Sequence, residues 1–152
     1  MASRRSWLTL VLIFAGIEML FLVAQYFLGL WTNVYAPSMF TSNSSFPSLD
    51  WHYNIGFTLF FVGVVMLILA GLSRNWRLVL GGIVVVVAVY VAGQLGASFV
   101  SSSPNNPLDS FGMGVMFLVA LFANSAVLML AARARRPAGS PATVASAQPG
   151  PA

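Results

Sequence analysis

The sequence GLSRNWRL at 71–78 decides the fold, because it joins two apolar runs through a link that leaves room only for a helical hairpin. The runs cover 53–72 and 78–100. Each is long enough to cross the roughly 30 Å hydrocarbon core of a bilayer as a helix. The β-branched stretch 83–87 is predicted to be helical as well, since an open strand in lipid would leave backbone groups unpaired.

Two further apolar runs, at 7–30 and 111–132, flank this hairpin. The first follows a basic pair, as in a signal peptide, but it is too long, contains Glu18 and lacks a small-x-small cleavage site. We therefore predict an all-α fold, an integral membrane four-transmembrane-helix bundle made of two helical hairpins. The membrane domain is predicted to cover residues 1–136, with outer loops at 31–51 and 101–107. Pro37 and Pro47 disfavour regular structure in the first of these loops.

The remaining segment, 137–152, is composed mainly of Pro, Ala, Gly and Ser. Such a composition buries too little apolar surface to offset the entropy lost on ordering. We predict a disordered cytoplasmic tail.

The composition indicates lipid as the main solvent, since 59% of the residues are hydrophobic and 7% are charged. The net charge of +4 comes from seven arginines in short clusters beside the apolar runs, a distribution that orients spans and does not suggest a nucleic-acid partner. The absence of cysteine excludes disulfides and thiolate sites. A single histidine excludes sites that need two within one chain.

The arginines also predict the orientation. They lie before the first run, between the second and third, and after the fourth, which four spans would place on one face. Because cytoplasmic segments accumulate arginine, we expect a multi-pass plasma membrane protein with both termini in the cytoplasm. All four tryptophans fall at predicted span ends, where their rings favour the headgroup layer: Trp7, Trp31, Trp51 and Trp76.

Glu18 is the strongest candidate for chemistry, because it lies near the middle of the first span. An ionised carboxylate there costs about 2.5–3.5 kcal/mol, so it should be neutral or paired. Asn124 on the fourth span lies at a similar depth, so the two side chains could share a hydrogen bond. This pair indicates either a proton relay or ion site, or a protonated glutamate that fastens two helices.

A second polar layer is predicted nearer the outer surface of the first three spans. It would line a small cavity or form hydrogen bonds between helices. Its members are Gln25, Tyr26, Asn54, Thr58, Tyr90 and Gln94.

Small residues repeat along two spans and predict where helices pack closely. Gly56, Gly63 and Ala70 recur every seven residues on the second span, and Ala88, Ala92 and Gly96 recur every four on the third. Both stripes are interpreted as the seam of the hairpin, with dimerisation as the alternative.

His52, at the outer entrance of the second span, could serve as a haem ligand with Met113 or Met39. The simpler interpretation is an interfacial histidine bonded to loop backbone. Asp50 and Asp109 could join His52 around a cation, which is a weak metal pattern. No metal and no cofactor is predicted, with haem or quinone as the alternative.

Asn43-Ser44-Ser45 matches the glycosylation pattern in the predicted outer loop, although a serine-rich loop produces such matches by chance.

Four short motifs lie between Gln25 and Ala132: Gln25-Tyr26-Phe27-Leu28-Gly29, Asn33-Val34-Tyr35, Trp51-His52 and Asp109-Ser110-Phe111-Gly112-Met113. Through these motifs the chain resembles uncharacterised small prokaryotic four-helix integral membrane proteins. The resemblance implies a fold without an activity.

No phosphate-binding glycine loop, nucleophile elbow or paired catalytic carboxylates occur in the sequence, so we expect no enzyme activity. We expect a non-catalytic accessory or scaffolding subunit of a membrane complex, with the lipid bilayer and other membrane subunits or a second copy as partners. The alternatives are a small proton-coupled transporter that uses Glu18, and a haem- or quinone-binding redox subunit centred on His52.

Overall fold

Four α-helices make up the computed structural model, which describes residues 3–35, 47–102 and 107–136. They are α1 (Arg4–Tyr35), α2 (Pro47–Leu72), α3 (Trp76–Ser102) and α4 (Pro107–Arg135). Each helix contains a segment long and apolar enough to cross a membrane: Arg4–Trp31, Asp50–Leu72, Trp76–Phe99 and Pro107–Arg135. The prediction of four long apolar helices is confirmed.

The helices are longer than the predicted apolar runs. α1 continues to Tyr35 and α2 begins at Pro47, so the predicted loop 31–51 is too long. Proline at the start of a helix lacks only an N–H that would have no intrahelical acceptor, and its fixed φ suits the first turn. Pro107 begins α4 in the same way. Pro37, Met39 and Asn43, and the predicted tail 137–152, lie outside the described residues.

The link between α2 and α3 is the predicted tight hairpin. Arg74 adopts a left-handed conformation with φ of 54°, and its N–H donates to the carbonyl of Gly71 at 3.0 Å. The Oδ1 of Asn75 accepts from the backbone N–H of Arg77 at 3.3 Å, which caps the start of α3. Ser73 is fully buried and donates through Oγ to the carbonyl of Ala70 at 2.7 Å.

The helices form a ring in which each packs against its neighbours in sequence and α4 returns to α1. Neighbours run antiparallel, as contacts between α1 and α2 show: Glu18 lies over Gly63, Gln25 over Gly56, and His52 over Gly29. Apolar side chains fill the centre, and the largest fully buried ones are Val11, Leu22, Met66, Leu78, Val85 and Val127.

The stripes of small residues do not form one hairpin seam. Gly56 and Gly63 of α2 face polar side chains of α1, and Gly96 of α3 faces the sulfur of Met113 on α4. Gly63 also belongs to the α2–α3 seam, since an added Cβ there would lie 3.3 Å from Val86 Cγ2, and a further close α2–α3 contact is at Gly82, 3.1 Å from Leu67 Cδ1. The spacing of small residues marks a helix face that permits close approach, but it does not show which helix meets that face.

The outward surface of the bundle is apolar on all four helices. Large hydrophobic side chains are exposed along the whole length of the bundle, among them Leu20, Phe27, Phe57, Ile68, Val87 and Phe122. An apolar surface of this extent is typical of contact with lipid or with other protein, and is rare on soluble monomers.

The two ends of the bundle differ in charge. Because the helices alternate in direction, the start of α1, the α2–α3 turn and the end of α4 lie at one end, and that end carries all seven arginines. Asp50 and Asp109 lie at the other end, in the first turns of α2 and α4. Trp7 and Trp76 mark the arginine end, and Trp31 and Trp51 the opposite end.

Candidate functional site

Glu18 is fully buried at the centre of the bundle. Its carboxyl group lies directly over the α2 backbone at Gly63, where an added Cβ would be 2.9 Å from Glu18 Oε1 and 3.3 Å from Val86 Cγ2. A side chain at position 63 would therefore collide with the carboxyl group. Glycine is the residue that allows α2 to approach α1 closely enough to enclose a glutamate.

Asn124 is also fully buried and links α4 to α1. Its Nδ2 donates to the backbone carbonyl of Ala15 at 2.9 Å. The predicted hydrogen bond between Glu18 and Asn124 is wrong, since the amide bonds to backbone one turn before Glu18. Residue counting gives the depth of a side chain, but the rotation of each helix decides its partner. The small side chain of Ala15, which is fully buried, leaves its carbonyl within reach of α4.

Three buried oxygens in this layer have no hydrogen-bond partner among the described residues: both carboxyl oxygens of Glu18 and Oδ1 of Asn124. Buried polar atoms are normally bonded, because an unpaired group loses its interactions with water without replacement. A protonated carboxyl group has one O–H to donate, and an amide oxygen is an acceptor. The layer therefore has the chemical means to exchange a proton or to hydrogen-bond a small polar guest.

A second inward polar layer lies two helical turns further along α1, on the same face as Glu18. Gln25 Nε2 donates to the backbone carbonyl of His52 at 3.0 Å and lies against Gly56, 3.3 Å from where a Cβ would stand. The Oε1 of Gln25 and Nδ1 of His52 are buried and unbonded in the part of the chain that the structure describes. The ring edge of His52 fits against Gly29, with Cε1 3.4 Å from the position of a Cβ.

The other residues of the predicted outer layer do not join Gln25. Their side chains are exposed on the outside of the ring: Tyr26, Asn54, Thr58, Tyr90 and Gln94. Thr58 Oγ1 donates to the carbonyl of Asn54 in its own helix at 2.8 Å, and Tyr26 stacks on Phe117 of α4 with ring centroids 5.7 Å apart. These five side chains therefore do not line an internal cavity, because all of them are exposed at the outside of the bundle.

The proposed ligand sets around His52 are not assembled by the described contacts. His52 packs against α1 at Gly29, whereas Met113 packs against α3 at Gly96. Within 3–35, 47–102 and 107–136, no group of three His, Asp or Glu residues could hold a metal ion. Asp109 instead accepts a hydrogen bond from Ser98 Oγ at 3.0 Å, which joins α3 and α4 at the end of the bundle opposite the arginines.

Two contributors to the site were not predicted: the carbonyl of Ala15 and the glycine under the Glu18 carboxyl group. The first carries no signal in the sequence. The second does, because Glu18 and Gln25 are seven residues apart on α1, and Gly56 and Gly63 are seven apart on α2. In an antiparallel pair, matched spacings bring each long polar side chain opposite a glycine.

Comparison of the chain with known protein families, with curated proteins and with solved structures gives no match.

Replacing Gly63 by alanine should destabilise the bundle by about 1–3 kcal/mol, because the new methyl group overlaps the Glu18 carboxyl group. The measurement is thermal unfolding in a mild detergent. Gly71→Ala on the same helix is the matched control, since nothing lies within 4 Å of an added Cβ there. In a Glu18→Ala background the cost of Gly63→Ala should fall. Equal stability of the Gly63→Ala and Gly71→Ala proteins would contradict the contact.

Proposed function

We propose that the four helices cross the plasma membrane, with the arginine-bearing end and both termini in the cytoplasm. The apolar outward surface, the tryptophans at both ends and the confinement of arginine to one end support this placement. Trp7 and Trp31 are separated by about 36 Å along α1, close to the thickness of the hydrocarbon core plus its borders.

Reporter fusions at residues 1 and 152 should both report the cytoplasm, and a fusion within 36–46 should report the opposite side. Reporters on opposite sides for the two termini would overturn the placement.

We propose further that the protein is non-catalytic and acts as an accessory or scaffolding subunit that binds other membrane helices. One observation carries this proposal: the side-chain amides of Asn54 and Gln94 both face outward without a hydrogen-bond partner in the described residues. The contacts of Gly63 with Val86 and of Gly82 with Leu67 set the α2–α3 register and place the two amides at the same level. The two amides thus lie at one level on a largely apolar surface.

Placing an amide in apolar surroundings costs free energy unless the amide is hydrogen-bonded. The two amides therefore favour contact with a polar group of another helix. Gly93, beside Gln94, is exposed and has nothing within 4 Å of an added Cβ. A second backbone can therefore approach α3 closely at the level of the amides. Small residues beside hydrogen-bonding side chains are typical of helix interfaces in bilayers. We call Asn54, Gly93 and Gln94 the outer amide patch.

Gly93→Leu should prevent partner binding without unfolding the chain, because the leucine projects into open space and blocks the approach of another helix. Native mass spectrometry of complexes extracted in mild detergent measures the outcome. Gly114→Leu is the matched control: Gly114 is exposed, equally open and close to the same level on α4, next to the Met113–Gly96 contact. Asn54→Leu or Gln94→Leu should each weaken binding about threefold, as expected for one interhelical hydrogen bond.

Recovery of the unaltered chain as an isolated monomer would contradict the accessory role. Equal loss of partner from the Gly93→Leu and Gly114→Leu proteins would also contradict it, since a general effect of leucine on the outer surface would then explain the loss.

A second candidate function, a small proton-coupled transporter, is favoured by the unpaired oxygens of the Glu18 layer. Glu18 would take up and release the proton. Gln25, on the same face of α1 and about 10 Å nearer the outer end, and Asn124 would extend the polar path. Four helices are few for a carrier, so two copies would be needed.

Proton uptake into liposomes, followed with a pH-sensitive dye, tests this candidate. Glu18→Gln should abolish uptake, because an amide cannot release a proton at neutral pH. Asp109→Asn, which removes an acid at the outer end, should leave uptake unchanged. Unchanged uptake in the Glu18→Gln protein would remove the transport role of this residue.

A further inference from the structure

The first and last helices together form a cationic cleft at the arginine end of the bundle. It has a volume of about 280 Å³ and is lined by the first two turns of α1 and the last residues of the helical bundle. Four of its six lining residues are arginines: two in α1, one at the end of α4 and one just after it. The remaining lining includes Leu8, which is 3% exposed. The lining residues are Arg4, Arg5, Leu8, Ala134, Arg135 and Arg136.

No acidic side chain of the chain lies near this cleft. The three acids are Glu18, Asp50 and Asp109. Glu18 lies ten residues beyond Leu8 on α1, or about 15 Å deeper. Asp50 and Asp109 are in the first turns of α2 and α4, at the opposite end of the bundle. Among the described residues, the four guanidinium groups therefore have no acidic side chain to balance their mutual repulsion.

The start of α1 adds to this unbalanced positive charge. Its first turn contains no acidic residue, although the N-terminus of a helix carries partial positive charge and favours anions. Arg4 and Arg5 occupy that turn instead. At α4 the situation is reversed, because Arg133 and Arg135 in the last turn complement the negative end of the helix. The excess positive charge thus lies on the α1 side of the cleft.

We propose that this cleft binds the phosphate of an anionic phospholipid headgroup. Guanidinium groups match phosphate oxygens in geometry and charge, and basic pockets between membrane helices are suited to anionic headgroups. The apolar floor at Leu8 and the half-buried ring of Trp7 mark the start of the apolar surface at this end. A phosphate attached to a lipid satisfies the cationic rim and the apolar floor together, which a free phosphate does not.

The bound headgroup would also stabilise the ring of helices. It neutralises the repulsion between Arg4 and Arg5 on α1 and Arg135 and Arg136 at the end of α4. That seam is the one at which the ring closes between distant parts of the chain. The inference rests on the membrane placement proposed above, but it is independent of the accessory role.

The experiment uses the full chain purified from membranes in mild detergent. Retained lipid is counted by native mass spectrometry, and thermal unfolding is followed with added phosphatidylglycerol, phosphatidylcholine or inorganic phosphate. Phosphatidylglycerol should raise the melting temperature and remain bound, and the other two should not. The Arg4→Gln/Arg5→Gln protein should bind phosphatidylglycerol roughly thirtyfold more weakly. The Arg135→Gln/Arg136→Gln protein should show the same loss from the other side of the cleft.

Arg74→Gln/Arg77→Gln is the matched control, because it removes two arginines from the same end of the bundle but outside the cleft. It should retain most of the binding. Without lipid, removal of Arg4 and Arg5 should leave the melting temperature unchanged or higher, which shows that the chain still folds. Equal losses from all three double variants would overturn the cleft as a site and leave only general attraction. Equal stabilisation by inorganic phosphate would overturn the assignment to lipid.

Discussion

Close approach of helix backbones at small residues is the interaction on which this bundle depends. The outward surface is largely apolar, and in the proposed membrane placement the burial of apolar side chains gives little drive for helices to associate. Van der Waals contact at short distance therefore has to supply the free energy of helix association. Gly63 receives the carboxyl group of Glu18, Gly56 receives the amide of Gln25, and Gly82 receives Leu67. At each glycine, a polar or bulky side chain of one helix contacts the backbone of another helix.

This packing explains how a glutamate can lie at the centre of an apolar bundle. The recess over Gly63 gives the Glu18 carboxyl group space, but no described group bonds its oxygens. Asn124 differs from Glu18, because its Nδ2 donates to the carbonyl of Ala15 and only its Oδ1 is unpaired among the described residues. An acid that is enclosed but unbonded contributes less to stability than a bonded one. The unpaired oxygens of Glu18 support the proposed transport role as well as a structural one.

The polar residues of the chain fall into three sets that serve different purposes. Glu18, Gln25 and Asn124 face inward, where they connect α1 to α2 and α4. The outer amide patch is exposed and its amides have no hydrogen-bond partner among the described residues, which supports the proposed role in assembly. The arginines lie at one end, and four of them meet where the chain begins and where the helical part ends. Partner binding and lipid binding would thus use separate surfaces.

The number of helices and the α2–α3 hairpin follow from the sequence alone. A run of twenty or more apolar residues has one way to satisfy its backbone in lipid, and five linking residues permit one geometry. The helix ends were less predictable, as Pro47 and Pro107 show, because proline disfavours the interior of a helix but favours its first turn.

Only the tertiary structure decided which polar residues meet. Gln25, Tyr26, Asn54, Tyr90 and Gln94 lie at similar depths in the sequence, but only Gln25 turns inward. Glu18 and Asn124 also share a depth without bonding to each other. Position along a run fixes how deep a residue lies, whereas its direction depends on the rotation of each helix. That rotation is set by the fit of all four helices at once, with the glycines determining which faces come closest.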